Sequence, residues 1–438
     1  MKSSHSFKAV GEPQGLAIRL QAITTLDAVL EGARFAPLGA STIPDPRDRA
    51  LANRLVTTAL RRHQQISLVI AELLDRGIPK RAGAFEPILR LSLAQLLFLP
   101  ELGAHSAIFL AVEATKRDRR AGHLAKLMNA VLRRADAERE RLLTLPPSTL
   151  LPKGLAQGWQ SQFGEAALEA FAQALLDGAP LDLTLRDDDP ALVETLNAKP
   201  IWADSVRVHE RDTSVDGLPG YDAGRWWVQD AASALPARLL GLPPGARVLD
   251  LCAAPGGKTA QLIKAGHEVT ALDADPERMA RLQSNLDRLG YSARTIVADA
   301  TAMELDESFD AVLLDAPCSA TGTFRRHPEV LLNVTPKDIA GRVALQRQLA
   351  TQAIKAVAPG GVLVYCVCSL QAQEGEAQAA WLAVQDDLVA SPIRPEEVAG
   401  FESLLSPEGW LRAHPGLTVP GAAGGTLDGF FVARFQRR

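Results

Sequence analysis

The chain of 438 residues is too long for one ordinary domain and long enough for two or three with real cores, and its 47% hydrophobic and 22% charged residues suit a folded globular protein. No apolar run is long enough for a membrane span, and the start, Met1-Lys2-Ser3-Ser4, lacks the apolar core of a secretory signal, so the cytoplasm is the expected location and no membrane is expected as a partner. The net charge of −4 hides an asymmetry: residues 1–150 hold 22 lysines and arginines against 14 acids, and the remainder 25 against 37. A basic first third points to a polyanionic partner for that third, unless its helical surfaces merely carry many arginines.

After a loose start, Leu16, Leu20, Ile23, Leu26 and Leu30 recur at helical spacing. Pro44-Asp45-Pro46 breaks the chain, and Asp48 is placed to cap a second helix carrying Leu51, Leu55 and Ala59. Further helical series follow at Ile66, Val69, Ile70 and Leu73, then at 88–98, 107–117 and 124–134, with almost no strand signal, so residues 1–150 are expected to form an all-α bundle. The phrases DRALANRLV, ILRLSLAQLLFLPEL, HSAIFLAVEATK and LMNAVLRR are similar to the helical RNA-binding fold of the antitermination factor NusB. Arg47, Arg54, Arg61, Arg62, Arg119, Arg120, Arg133 and Arg134 are candidate phosphate contacts, although each alone is also an ordinary solvated arginine.

Residues 151–235 mix a helical pattern at 165–176 with strand-like pieces at 181–186 and 206–209, and are expected to form a small α/β connector. Trp226 and Trp227, in the segment before the next strand, could stack on a flipped-out base or pack in the core; packing is the expected role.

Residues 236–438 open on Val248-Leu249-Asp250-Leu251-Cys252-Ala253-Ala254-Pro255-Gly256-Gly257-Lys258-Thr259, which reads as strand, small-residue loop and helix start. Such a turn presents backbone N–H groups and a positive dipole end to an anionic part of a cofactor. A P-loop would need glycine at position 252, where cysteine stands, and the dinucleotide fingerprint is absent. Three further strands, at 268–273, 294–299 and 310–315, end in Asp273, Asp299 and Asp315, so that with Asp250 four acids converge on one crevice at the carboxyl ends of a parallel sheet. A helix over 335–358 should end at Pro359-Gly360-Gly361 and lead into a fifth strand, 362–366, followed by Cys368-Ser369. The four cysteines, Cys252, Cys318, Cys366 and Cys368, include no C-x-x-C pair, so reduced thiols and no metal are expected. Cys318 after the fourth strand and Cys368 after the fifth should face each other across the crevice. The segment 428–434 reads as a closing strand at the sheet edge.

LDLCAAPGGKT, LDAD, VAD, LLDAPCSATGTFRRHPEV and VLVYCVCS, in this order, resemble the S-adenosylmethionine-dependent RNA cytosine-5 methyltransferases of the Nol/Nop/Sun superfamily. Joined to a NusB-like module, they resemble its bacterial Fmu/Sun branch, which methylates a cytosine of small-subunit ribosomal RNA. The resemblance implies a multidomain protein: a NusB-like helical bundle (1–150), a small α/β connector (151–235) and a Rossmann-like methyltransferase domain (236–438). It implies S-adenosyl-L-methionine held by Cys252, Ala253, Ala254, Pro255, Gly256, Gly257 and Lys258, with Asp273 at the ribose, Asp299 at the adenine and Asp315 at the cofactor's amino-acid end or the cytosine amino group. Arg278, one helical turn into the next helix, either steadies Asp273 or is simply solvated. By resemblance Cys368 is the nucleophile and Cys318 assists product release; DNA cytosine-5 enzymes attack from the Pro-Cys after the fourth strand, so the opposite assignment stays open, as does attack by Cys366. Arg325, Arg326 and His327 could hold flanking phosphates. Ribosomal RNA is the expected partner and a monomer the expected state; transfer RNA as substrate, or a non-catalytic RNA-binding assembly factor, are the alternatives.

Overall fold

A computed structural model describes residues 13–209, 213–302, 307–418 and 424–438. The chain forms two compact units, one running to Gln157 and taking in His327–Asn333, the other made of Gly158–Arg326 and Val334–Arg438. Among the described residues no helix is long and apolar enough to cross a membrane.

The first unit is helical: α1 (Leu16–Leu30), α2 (Pro46–Arg61), α3 (His63–Leu73), α4 (Phe85–Phe98), α5 (Ala104–Arg117) and α6 (Ala125–Ala137). In α4 every residue from Pro87 to Leu97 is buried, so it is the central helix around which the others bury one apolar stripe each. Helix α1 buries Leu16, Ile23 and Leu26 as its spacing predicts, but Ala22 and Val29 complete the face, with Leu20 and Leu30 at its margin. The cap of α2 is Asp45 and not Asp48. The Asp45 carboxylate accepts hydrogen bonds from the Arg47 and Asp48 N–H groups, and Pro46, which has no N–H to leave unpaired, takes the first helical position. His327–Asn333 joins this unit through Glu329, whose Oε1 accepts the Phe35 N–H at 3.2 Å, while Arg34 Nη2 lies 3.1 Å from His327 Nε2.

In the second unit, β1 (Leu181–Leu185), β2 (Ala198–Trp202), β3 (Ser205–Val208) and β4 (Trp226–Val228) form an antiparallel sheet in the order β2-β3-β1-β4. One face is apolar, with Leu183, Leu185, Val206, Val208 and Trp226; the other buries Asp182, Thr184, Ser205 and Arg207. The alternation of the strand thus gives one oily and one hydrogen-bonding face.

The larger sheet comprises β5 (Arg247–Leu251), β6 (Glu268–Asp273), β7 (Arg294–Val297), β8 (Phe309–Asp315), β9 (Val357–Val367), β10 (Leu388–Ala390), β11 (Leu411–Ala413) and β12 (Phe430–Arg437), in the order β10-β12-β9-β8-β5-β6-β7 with β11 on β12. Strands β5 to β9 pair in parallel, and β12 runs antiparallel to β9. The order reverses beside β5, so the loops after β5 and β8 face one crevice. The closing strand is not at the edge: β12 lies between β9 and β10, because Phe430, Phe431, Val432, Ala433 and Phe435 are buried and need neighbours on both sides. The fifth parallel strand begins at Val357, ahead of Pro359-Gly360-Gly361, and an irregularity between Phe309 and Ala311 on β8 accommodates the glycines.

A buried charge cluster links the two sheets. Arg207 grips Asp182 with two hydrogen bonds of 2.7 and 2.8 Å. Arg325 Nε donates to Asp428 Oδ1 at 2.8 Å; Arg326 donates to Asp428 Oδ2 at 2.8 Å and to Asp230 Oδ2 at 2.6 Å. Burial opposes charge on Asp230, but Arg326 and Arg325 hold its carboxyl below the usual range, and Arg326 is raised by Asp428 and Asp230 against the same penalty. Arg325 and Arg326 are therefore structural, which corrects their reading as phosphate contacts. Replacing Asp428 with alanine leaves Asp230 as the one carboxylate shared by the two buried guanidinium groups, and a loss of about 3–5 kcal/mol is expected in chemical denaturation; a loss below about 1 kcal/mol would show that the cluster does not hold the sheets.

Candidate active site

The small-residue loop after β5 is shaped by its backbone. Cys252 adopts a φ of +62° and Gly256 one of +101°, and the Ala254–Pro255 bond is cis. A side chain on Gly256 would also meet Leu282 Cγ at 2.9 Å, so glycine is required on two counts. The Ala253 N–H bonds the Leu272 carbonyl at 3.0 Å, the Gly256 N–H bonds the Ala253 carbonyl at 2.9 Å, and Gly257 begins the helix Gly257–Lys264. The loop is held from the next strand by Asp273, whose carboxylate accepts the Ala254 and Asp275 N–H groups at 3.1 and 3.0 Å. Arg278 lies 3.4 Å from Asp273 Oδ2 and donates to the Ala254 carbonyl, which favours the steadying role over simple solvation.

Asp250, fully buried beneath the loop, accepts the Thr259 hydroxyl at 2.7 Å on Oδ2, while its Oδ1 has no hydrogen-bond partner. Burial pushes its carboxyl up to about 7. A buried oxygen left unpaired is costly, so it suits a ligand bringing a cationic donor. The α-ammonium of S-adenosylmethionine is such a donor, and the positive-φ loop with a helix start behind it suits the cofactor's carboxylate. The residues present fit the group: the loop from Cys252 to Lys258 would hold its methionine part. The thiol of Cys252 is pushed up to about 12 by burial and by Asp315 and Asp273, so its contribution here is backbone shape.

Lys258 Nζ donates to Asp315 Oδ2 at 2.8 Å and lies 5.1 Å from the centre of the Phe430 ring. Burial works against its charge, but Asp315 holds it above the ordinary lysine range. The other Asp315 oxygen faces the Cys366 thiol at 3.6 Å. Cys318 Sγ and Cys368 Sγ are 3.5 Å apart, both free thiols and both half-buried. The hydrogen bond to Cys368, with burial, pushes the Cys318 thiol well up. Cys366 is fully buried and also raised, by burial and by Asp315.

The structure thus brings together the 252–258 loop, Asp250, Asp273, Asp315 and the thiols. Asp299 follows β7 beside Asp273, the Ala298 N–H bonding the Asp273 carbonyl at 3.2 Å; it is exposed, and its carboxylate accepts the Thr301 hydroxyl and N–H, which hold it below its usual range. Trp226 and Trp227 are buried, their N–H groups bonded to the Pro219 carbonyl and to Gln229, so neither is available to stack on a base. Glu374, Gln346 and Thr321, which surround the thiol loops, were not singled out by sequence, since nothing local marks them.

Because Asp250 is protonated below about pH 7 and a cationic ligand needs it ionised, S-adenosylmethionine affinity should rise roughly tenfold between pH 5.5 and 7 and then level off. Titration calorimetry across that range checks it: Asp250→Asn should flatten the profile, and a flat wild-type profile would reject the role.

Residues 237–436 match the family model described as 16S rRNA methyltransferase RsmB/F, and residues 17–137 match the NusB family. The chain is 37% identical over 408 residues to ribosomal RNA small subunit methyltransferase B of Xylella fastidiosa, covering 90% of this chain and 93% of that one. It is 33% identical over 418 residues to the protein of the same name from Klebsiella pneumoniae, covering 90% and 91%. In fold it is similar to the crystal structure of PH0851, with a TM-score of 0.75 at 22% identity over 98% of this chain and 100% of that one. A methyltransferase homolog from Pyrococcus horikoshii is similar over 66% of this chain and 95% of that one, with a TM-score of 0.55 at 27% identity. By sequence over nearly its whole length, and by a helical module joined to an S-adenosylmethionine-dependent catalytic fold, the chain belongs to the ribosomal RNA small subunit methyltransferase B family of RNA methyltransferases.

Proposed function

We propose that the protein methylates C5 of a cytosine in small-subunit ribosomal RNA, with Cys368 as the covalent nucleophile and Cys318 assisting release. The observation that carries this reading is the 3.5 Å contact of two free thiols at the carboxyl ends of neighbouring parallel strands, beside the glycine loop. C5 of cytosine is a poor nucleophile. A Cys368 thiolate adding to C6 forms a C–S bond and leaves an enamine whose C5 can take an electrophilic methyl group. S-adenosylmethionine supplies that methyl group. C5 then loses its proton, the C–S bond breaks, and Cys368 leaves as thiolate.

The environment of the thiol pair supports the assignment. The contact with Cys368 and burial push the Cys318 thiol well up, which suits it to act as an acid–base partner for elimination rather than as the attacking sulfur. Cys366 is disfavoured as attacker by complete burial and by its contact with Asp315. Asp315, fixed by Lys258 and partly exposed, is the carboxylate available to the cytosine amino group. Ribosomal RNA as substrate is supported by the names of the relatives, the NusB-like module and the basic balance of residues 1–150.

Cys368→Ala should lower methyl transfer from labelled cofactor by about a thousandfold or more. Cys318→Ala should instead accumulate an RNA–protein adduct that survives a denaturing gel. The reverse pattern would exchange the two roles, and label entering transfer RNA but not unmodified small-subunit RNA would reject the ribosomal assignment.

A further inference from the structure

Each of the two cysteines is followed by a serine, and one carboxylate binds both serines. Glu374 is fully buried on the turn after Cys368. Its Oε1 accepts the Ser319 N–H at 2.8 Å and Gln346 Nε2 at 3.2 Å; its Oε2 accepts the Ser369 hydroxyl at 2.6 Å and the Ser319 hydroxyl. Gln346 also donates to the carbonyl of Pro317, the residue before Cys318, at 3.1 Å. Thr321 Oγ1 lies 3.2 and 3.3 Å from the two serine hydroxyls and accepts the Leu370 N–H at 3.1 Å. Burying a carboxylate is unfavourable by several kcal/mol unless donors compensate. Here the donors come from the two thiol loops and from the helix Pro336–Ala356 behind them.

A carboxylate needed only for stability could be replaced by a neutral hydrogen-bonding group or a hydrocarbon core. This one stands where its geometry fixes the relative position of two sulfur atoms from strands fifty residues apart. We propose that Glu374 is a positioning residue for the two-thiol reaction: by clamping Ser319 to Ser369 it holds Cys318 against Cys368 and keeps their roles unequal. The proposal rests on the two-thiol reading above. The negative charge of Glu374 is also among the causes that raise the Cys318 thiol, after the Cys368 hydrogen bond and burial, so the clamp acts by charge as well as by distance.

The test uses the full-length chain with Glu374→Gln, which keeps the shape, removes the charge and turns an NH2 group toward donors. Turnover should fall by about a hundredfold while the KM for RNA changes by less than about threefold. Iodoacetamide labelling without RNA or cofactor, read for each cysteine by mass spectrometry, should favour Cys368 over Cys318 by about tenfold in the wild type and by less than about threefold in the variant. Either readout remaining at its wild-type value overturns the proposal; turnover lost with the labelling ratio unchanged would mean a purely structural role. Should E374Q fail to fold, Ser319→Ala and Ser369→Ala, each removing one hydroxyl from the clamp, must shift the same ratio, and an unshifted ratio in both overturns it equally. The labelling ratio is independent of which thiol attacks the base, so full turnover by Cys368→Ala would sink the nucleophile assignment and leave the clamp to be judged on labelling.

Discussion

Arg325 and Arg326 stand at the far end of the Cys318 loop, and the carboxylates that bind them, Asp230 and Asp428, come from widely separated parts of the second unit's sequence, so a buried ionic cluster decides where the loop lies. With Arg207 and Asp182 the cluster balances three guanidinium groups against three carboxylates in a place water scarcely reaches. Such a cluster adds little net stability over an apolar core of the same volume, but each member removed leaves a charge stranded. Backbone contacts complete the fixing. The Gly322 N–H donates to the Cys368 carbonyl at 3.0 Å and the Gly429 N–H to the Gly322 carbonyl at 2.8 Å. A Cβ on Gly322 would stand 2.0 Å from the Gly429 carbonyl oxygen. The two thiol loops and the chain entering β12 are in backbone contact, which only glycine permits.

The catalytic half was legible because its strands are near-continuous apolar runs punctuated by Gly, Pro and a terminal acid, a pattern that local sequence carries in full. The glycine loop, the parallel run of β5 to β9 and the facing of Cys318 and Cys368 follow from it. What escaped depends on partners remote in sequence. Arg325-Arg326-His327 beside an active-site loop reads as a phosphate clasp until Asp230 and Asp428 are seen to neutralise it. Glu374 looks like one acid in a polar turn until Ser319 arrives from 55 residues away. The inner position of β12 depends on β10 and β11, three residues each, too short to show a period. At α2, the sequence holds two acids three residues apart, and the choice between them falls to Pro46, which can start a helix but not continue one.

The positive balance of the first third survives in the structure, but its arginines divide. Arg54 pairs with Glu101, Arg134 with Glu138, and Arg62 lies over the Phe98 ring. Arg47, Arg119, Arg120 and Arg133 are exposed, and a polyanion would meet these at smaller cost, since no existing ion pair of theirs is described that must first be broken. The chain also passes directly from one compact unit to the other between Arg326 and His327. Arg326 is held by Asp230 and Asp428, and His327 lies beside Arg34 and Glu329.

The chemistry finally depends on register. Asp315 on β8 pairs with Cys366 on β9, so three residues beyond the one and two beyond the other bring Cys318 and Cys368 to the same level above the sheet. A slip of one residue would turn Cys366 and Cys368 to the opposite face and remove both from Asp315 and Cys318. The same register pair carries Lys258, because its Nζ is bound to Asp315 from the first turn of the helix that follows the glycine loop. Cofactor loop, carboxylate and thiols are therefore joined through one rung of the sheet. Whatever fixes that rung fixes the distance between the paired sulfurs and the loop that would hold the methyl donor.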